Sequence, residues 1–278
     1  MDGIVAYFEN IPALHRAIII IGGISFFWVL EGVVPLFYFK YRKWKHAIPN
    51  FFFTSTTIII NFLLAFLLLS TSDWVVSNSF GLIHIFNDLP LVFEVFISIL
   101  LLDFIGAFLA HYIEHKFNPL WMIHLVHHSD HKVDTTTGNR HHPLESIVRF
   151  TFTLVAVLIV GAPIAYVMLY QSLSVVLTQF NHANIKLPKK IDKWLSYLIV
   201  SPDMHKIHHH YQLPYTDANY GNIFSVWDRL FGTYMYLERE KIIYGVDVFP
   251  NEQKNSNIKE LLKQPFQKYQ RPTKSSEV

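Results

Sequence analysis

The chain of 278 residues has no cysteine. That excludes disulfides, thiolate zinc sites, cysteine-ligated iron–sulfur clusters and covalently attached c-type haem. Any metal bound here is held by nitrogen and oxygen. Charge is scarce too. Asp, Glu, Lys and Arg make up 16% of the residues, against roughly 25% in soluble domains. The net charge of +2 at pH 7 is too small to mark a polyanionic partner, so nucleic acid is set aside. No G-x-G-x-x-G loop provides for a nicotinamide or flavin, and no H-E-x-x-H motif supplies a water-activating glutamate. No internal repeat stands out beyond the histidine clusters. The start, MDGIVAYFEN, lacks a basic n-region and a cleavage site, and reads as mature protein, not a signal peptide.

What the chain has in excess is apolar residues, 51% of the total, and they are clumped. Ala17 to Phe39 is apolar except for Glu31, Pro49 to Ser70 carries no charge, and Leu89 to Ala110 carries only Glu94 and Asp103. Each is about the 20 residues needed to cross a bilayer core of roughly 30 Å. Phe150 to Asn181 is also uncharged, but its 32 residues are too long for one span, and Gly161, Ala162 and Pro163 interrupt it. A helical hairpin or a broken helix is expected there. Lys40, Arg42, Lys43 and Lys45 crowd the first loop, Thr71 to Pro90 has no Lys or Arg, and lysines return after Asn181. Basic residues mark cytoplasmic loops. Both dense histidine segments then fall on the cytoplasmic face, with the C-terminus. Three regions are expected: membrane residues 1–90, a catalytic region 91–237, and a polar tail 238–278. The tail has one helix-like stretch (Asn257 to Gln264) and an end, RPTKSSEV, expected to be disordered. The compact chain without an obvious retention signal favours a bacterial inner membrane over the endoplasmic reticulum.

The chain has 16 histidines, and most of them are patterned. His111 and His115 form H-x-x-x-H. His124, His127 and His128 form H-x-x-H-H, and His205, His208 and His209 repeat it. On a helix these spacings share one face. His142 stands in RHHP and His182 in NHAN. Crowded imidazoles repel when protonated and leave polar nitrogens unsatisfied when buried. A divalent metal answers both problems by taking a lone pair from each neutral ring. One zinc needs only three or four ligands, so ten candidates point to a binuclear site. Ligand type leaves iron, zinc, copper and nickel open. A site beside lipid favours the oxygen chemistry of iron.

The segments DFIGAFLAHYIEH, LWMIHLVHHSD, NRHHPLE, FNHANI, SPDMHKIHHH and DANYGNIFSVWDRLFGTY, between Leu102 and Tyr236, resemble the fatty acid hydroxylase and sterol desaturase superfamily of membrane di-iron oxygenases. The resemblance implies an all-α, polytopic membrane bundle of about four transmembrane helices, with a cytoplasmic histidine-rich helical cap holding a binuclear metal site. It assigns two iron ions to His111, His115, His124, His127, His128, His142, His182, His205, His208 and His209. His131, His141 and His210 match no required position and read as bystanders. The family's first cluster usually has arginine after histidine, where this chain has Tyr112, which leaves the subfamily open. Ligating histidines usually donate their second ring N–H to a carboxylate or carbonyl. Asp103, Glu145, Asp203, Asp217, Asp228 and Asn219 stand beside the ligand segments as candidate partners. Trp227, Phe231 and Tyr234 read as an interfacial anchor, while Glu31 and Glu94 receive no role.

The implied reaction takes O2 and two external electrons, removes hydrogen from a lipid carbon, and yields an alcohol or, by a second hydrogen loss, an alkene. A sterol, a fatty acyl chain, an ether lipid or a carotenoid would each fit. The electrons would come from a separate donor: a cytochrome b5, a ferredoxin with its reductase, or a reduced pterin. Lys186, Lys189, Lys190 and Lys193 either dock that donor or simply mark the cytoplasmic side. The competing readings are a histidine-rich metal transporter, which needs a polar path through its spans, and a zinc hydrolase.

Overall fold

The computed structural model describes residues 1–85 and 89–275. All regular elements among them are helical. A short α1 (Asp2–Glu9) leads through Pro12 into α2 (Ala13–Val33). Next come α3 (Lys43–Ser77) and α4 (Leu91–Asp103), and a π-helical turn (Phe104–Leu109) joins α4 to α5 (Ala110–Lys116). Four stretches are long and apolar enough to cross a bilayer: Ala13–Val33, Lys43–Ile85, Leu91–Lys116 and Pro143–Val160. Their outer faces leave Ile21, Phe62 and Phe66 largely exposed. This is an integral membrane protein.

The fourth apolar stretch forms two helices, α7 (Pro143–Val160) and α8 (Ile164–His182). Gly161 ends α7 at φ +80, where a Cβ would lie 2.4 Å from the Phe80 carbonyl oxygen, so only glycine fits this turn. Pro163 then starts α8. The start of α7 and the end of α8 return to the same cluster of histidines, so the hairpin is the form adopted, not a single broken helix. Its apolar faces join α4 in the main core, around Leu102, Val157 and Val167. Glu94 lies in that layer and accepts a hydrogen bond from the Tyr166 hydroxyl at 2.8 Å.

At 35 residues α3 is about 52 Å long, well beyond the bilayer core. Its first turns rise out of the span, where Phe53 is buried with Val126 and Leu261. The cap above the bundle is built from α6 (Asn118–His128), α9 (Lys189–Leu195), α10 (Pro202–His208), α11 (Val226–Leu230) and α12 (Ile258–Lys263). Exposed Ile191 and Trp194 stand beside Lys190 and Lys193 on α9, the composition of an interfacial helix. The basic run thus has a membrane-surface explanation.

The polar return after α6 is buried. Asp134 caps the 3₁₀ turn Thr135–Asn139 by accepting from the Thr136 N–H, and the His46 ring lies between Asp130 and Asp134 at 2.9 and 3.1 Å. Glu31 closes the same layer, accepting from the N–H groups of Thr135 (2.7 Å) and Asn184 (2.8 Å) and pairing with Lys43. Arg140 is fully buried and donates to the carbonyls of Val126 and Asn255. Burial pulls the Arg140 guanidinium down from its ordinary value, and Asp130 and Asp134 oppose that.

The tail packs onto the cap. Val246, Val248 and Phe249 cover Trp121 and Met122 on the back of α6. The expected helix-like stretch Asn257 to Gln264 forms α12, capped by the Asn257 side chain. The RPTKSSEV end, expected to be loose, pairs with Leu213 through Thr273 and Ser275. Its last three residues, Ser276 to Val278, lie outside the described residues.

Candidate metal centre

Three short helices and one helix end converge at one level of the cap. α5 supplies His111 and His115, α6 supplies His124, His127 and His128, the end of α8 supplies His182, and α10 with its cap supplies His205, His208 and His209. The π-helical turn before α5 inserts an extra residue per turn and so resets the face that α5 shows to the cap. In the two H-x-x-H-H runs the third and fourth residues on from the first histidine differ by one step of about 100°, which sends adjacent rings to different sides. The rings of His208 and His209 lie at 87° to each other.

The nine rings sort into two groups. His111, His115, His124, His128 and His208 form one, and His127, His182, His205 and His209 the other; within each, ring nitrogens lie within 4.8 Å of one another. All nine side chains are buried. The groups abut, with His128 stacked on His209 at 4.7 Å between centroids.

The nitrogens meet lone pair to lone pair. Nε2 of His124 lies 3.1 Å from Nε2 of both His111 and His128. Nε2 of His182 lies 3.2, 3.0 and 3.2 Å from Nε2 of His127, His205 and His209. Burial, then neighbouring imidazoles, hold His127, His128, His205, His208 and His209 well below the ordinary histidine range. Burial brings His124 down to about 3, against the pull of Glu145. Neutral rings carry free lone pairs, and converging lone pairs at this spacing fit one cation per group at about 2 Å. Nε2 of His115 and of His208 has no other partner among the described residues.

The outer nitrogens show how the rings are held. In the first group His111 donates through Nδ1 to the Tyr220 carbonyl (2.8 Å) and His208 to the Ala218 carbonyl (2.7 Å). His115 donates to Asp217 (3.3 Å) and His124 to Glu145 (2.8 Å). In the second group His182 donates to the Thr178 carbonyl at 2.8 Å, while Nδ1 of His127, His205 and His209 is buried without a partner among the described residues.

The expected polar partners fall into three kinds. Glu145 and Asp217 touch ring nitrogens directly. Asp228 and Asn219 act on the loop that carries the two carbonyl acceptors: Asp228 accepts from the N–H groups of Tyr220 and Gly221, and Asn219, at φ +54, bonds Met204 and Met235. Asp103 and Asp203 touch no histidine among the described residues. Asp103 accepts from the N–H groups of Ile223 and Phe224 and from the Trp227 indole, pinning the loop to the span. Asp203 pairs with Arg239.

His142 stands outside both groups. It caps α7, its Nδ1 accepting from the Leu144 N–H at 3.2 Å, and its Nε2 faces the Leu262 carbonyl. His141 bridges Glu145 (2.7 Å) and the Gly138 carbonyl, stacked on His127. His131 contacts Asn255, and His210 accepts from the Ile243 N–H. Glu114 went unnoticed in the sequence. It is buried beside His124 (3.8 Å) and pairs with Arg149, which also reaches Glu145. The signal was available, since Glu114 is one helical turn from His111. Trp227 and Phe231 pack on Phe104, toward the bundle.

A cavity of about 340 Å³ enters the bundle from this centre, with His111 of the first group and His127, His182 and His205 of the second on its wall.

Two abutting groups of buried histidines in a cap on a membrane bundle define a class of membrane metalloprotein. A sequence model of the fatty acid hydroxylase family matches residues 95–233, half of the chain, and the chain belongs to that family. It is 24% identical over 145 residues to the ornithine lipid hydroxylase OlsE of Rhizobium tropici, covering 52% of this chain and 43% of that protein. It is 28% identical over 174 residues to the alkylglycerol monooxygenase of Xenopus tropicalis, covering 61% of this chain and 36% of that protein. The zebrafish (Danio rerio) alkylglycerol monooxygenase is 30% identical over 149 residues, covering 52% and 32%. The matched region thus spans less than half the length of these relatives. No solved structure matches the chain.

Proposed function

We propose that this protein is an O2-dependent di-iron hydroxylase of a membrane lipid, reduced by a separate donor. One observation carries the reading: two abutting groups of neutral, converging histidine nitrogens end a cavity that opens within the spans. Iron bound there would activate O2 for attack on an unactivated C–H bond. The five-histidine and four-histidine groups would each hold one ion. Glu145, Asp217 and the carbonyls of Ala218 and Tyr220 keep ring N–H groups turned outward, so that Nε2 stays free for metal. The buried cap excludes water, and the cavity places one carbon near the centre.

The relatives named as an ornithine lipid hydroxylase and as alkylglycerol monooxygenases favour hydroxylation over desaturation. A transporter is disfavoured because the ligands are closed into a buried centre instead of spaced along a path. The cluster of Lys40, Arg42, Lys43 and Lys45 beside the cap supports a cytoplasmic orientation of the centre.

Anaerobically purified protein should carry close to two irons per chain. Cells making it should accumulate an oxygen-dependent hydroxylated lipid that is absent with the metal-site variants. One metal per chain, or no oxygen-dependent product, would overturn the reading. A reporter after Ser275 should read cytoplasmic.

A further inference from the structure

The cap carries a second recess, separate from the cavity at the histidines. It is a groove of about 1300 Å³ between the start of α3, the return after α6 and the tail around α12. No residue that lines it also lines the cavity at the metal centre. Three stretches far apart in sequence, within residues 41–49, 129–132 and 251–259, meet there.

The groove is basic. Arg42 and Lys45 enter it from α3, Lys132 from the return and Lys259 from α12. Its two carboxylates are already engaged. Asp130 is buried and accepts from the His46 ring (2.9 Å), the Thr137 hydroxyl (2.7 Å) and the Lys132 N–H (3.0 Å). Glu252 pairs with the Lys132 ammonium. Arg42, Lys45 and Lys259 are exposed and have no carboxylate partner among the described residues. Like charges gathered in one groove repel. The bias of short loops toward basic residues accounts for Arg42 and Lys45 beside a span, but not for Lys259, which the tail brings in. An anion in the groove offsets the repulsion. An arginine fork with two lysine point charges suits the oxygens of a phosphate.

The lining also has an apolar part. Ile48 and Pro49 line the groove beside Lys45, and Ile258 does so beside Lys259. Ile48 is exposed, as is Trp44 one turn earlier on α3. Trp44 packs on Trp28 of α2 at 5.0 Å between ring centroids. Tryptophans at the ends of apolar helices mark the head-group layer of a bilayer. A soluble phosphate would use the cations and leave the isoleucines in water. A phospholipid uses both, its phosphate on the cations and its first chain carbons along Ile48.

We propose that the groove binds the phosphate head group of an anionic membrane phospholipid. The lipid is a structural ligand, not a substrate, and it ties the tail to the start of α3. Basic pockets at the ends of spans hold anionic head groups by the same chemistry. Binding there does not depend on the oxygenase reading of the histidine centre, and a chain without oxygenase activity would bind the lipid equally.

The test uses the full chain, purified in a neutral detergent and given dioleoylphosphatidylglycerol, dioleoylphosphatidylcholine or inorganic phosphate at equal concentration. Native mass spectrometry should show phosphatidylglycerol retained at least about fivefold over phosphatidylcholine. The melting temperature, read by tryptophan fluorescence, should rise by several degrees with phosphatidylglycerol alone, because a ligand of the folded state stabilises it. Equal retention of the two lipids, or as large a rise with inorganic phosphate, would overturn the inference. Arg42→Gln with Lys259→Gln should lower phosphatidylglycerol retention at least about fivefold. Lys190→Gln with Lys193→Gln removes the same charge from α9, outside the groove, and should leave retention unchanged. Equal loss in both double variants would mean a general attraction of lipid to basic residues and would overturn the site. If the groove variant does not fold, the comparison of lipids on the unaltered protein decides.

Discussion

The two histidine groups lie side by side yet are held differently. In the five-histidine group four rings have Nδ1 anchored, two on backbone carbonyls and two on carboxylates. In the four-histidine group only His182 is anchored so, and the other three outer nitrogens are buried without partners among the described residues. The exposure to the cavity runs the other way, with three rings of the looser group on its wall and one of the tighter group. Anchored rings preorganise a site, and unanchored rings can shift with what they bind. On the proposed function, the first group would keep its ion and the second would meet the substrate.

The largest effects should come from the ligands themselves. His208 and His209 are neighbours in sequence but belong to different groups. His208→Ala and His209→Ala should each lower lipid oxidation more than about a hundredfold, since ligand loss exceeds the 10–100-fold cost of losing an outer partner. Metal analysis should show each variant losing the ion of its own group. A His209→Ala protein that keeps both ions would break the division into two groups.

Next come the anchors. Glu145→Gln and Asp217→Asn should weaken metal binding about 10–100-fold, and only in the five-histidine group. Competition with a graded series of chelators measures this. Equal weakening of both ions would show that the anchoring does not discriminate between the groups. A smaller contrast is expected in the unaltered protein. A chelator should remove the metal in two phases, at least about tenfold apart in rate, with the four-histidine group emptied first. A single phase would mean that the outer nitrogens do not govern retention.

Much of this arrangement was legible in the sequence because histidine spacing on a helix fixes which rings share a face. Nine of the ten expected ligands lie in the two groups. His142 does not, because RHHP also makes a good helix start: proline at the first helical position and an acceptor side chain before it. The apolar runs announced the spans but not the true length of α3, whose first turns belong to the cap, where Phe53 packs with Val126 and Leu261. The tail showed its one helix-like stretch, but its few apolar residues, spaced without period, gave no sign of where it docks. Val246, Phe249 and Leu261 nonetheless find the back of α6 and the start of α3, a tertiary match that no local pattern records. The difference between the groups was equally hidden, since two of the four anchors are backbone carbonyls and carry no sequence signature.

The smallest effect is a pH dependence of the metal-free protein. Burial holds His127, His128, His205, His208 and His209 below the ordinary value of 6.5, and His124 at about 3. Below pH 6.5 the unfolded chain takes up protons that the folded chain refuses, so stability falls as pH falls and is regained as pH rises through 6.5. The melting temperature of apo-protein in detergent, read by tryptophan fluorescence, should drop by several degrees between pH 7.5 and 5.5. Bound metal should delay that drop to lower pH, because a ligated ring cannot take a proton until the ion leaves. His205→Leu removes one refusing ring from the unanchored group without stripping a carbonyl or carboxylate of its donor, and should make the acid limb shallower by about one proton. His208→Leu also removes one ring but leaves the Ala218 carbonyl without its donor, so it should lower the melting temperature at neutral pH as well. If the two variants behave alike at neutral pH, the anchor on His208 contributes nothing to holding the fold, and the contrast between the groups is one of position alone.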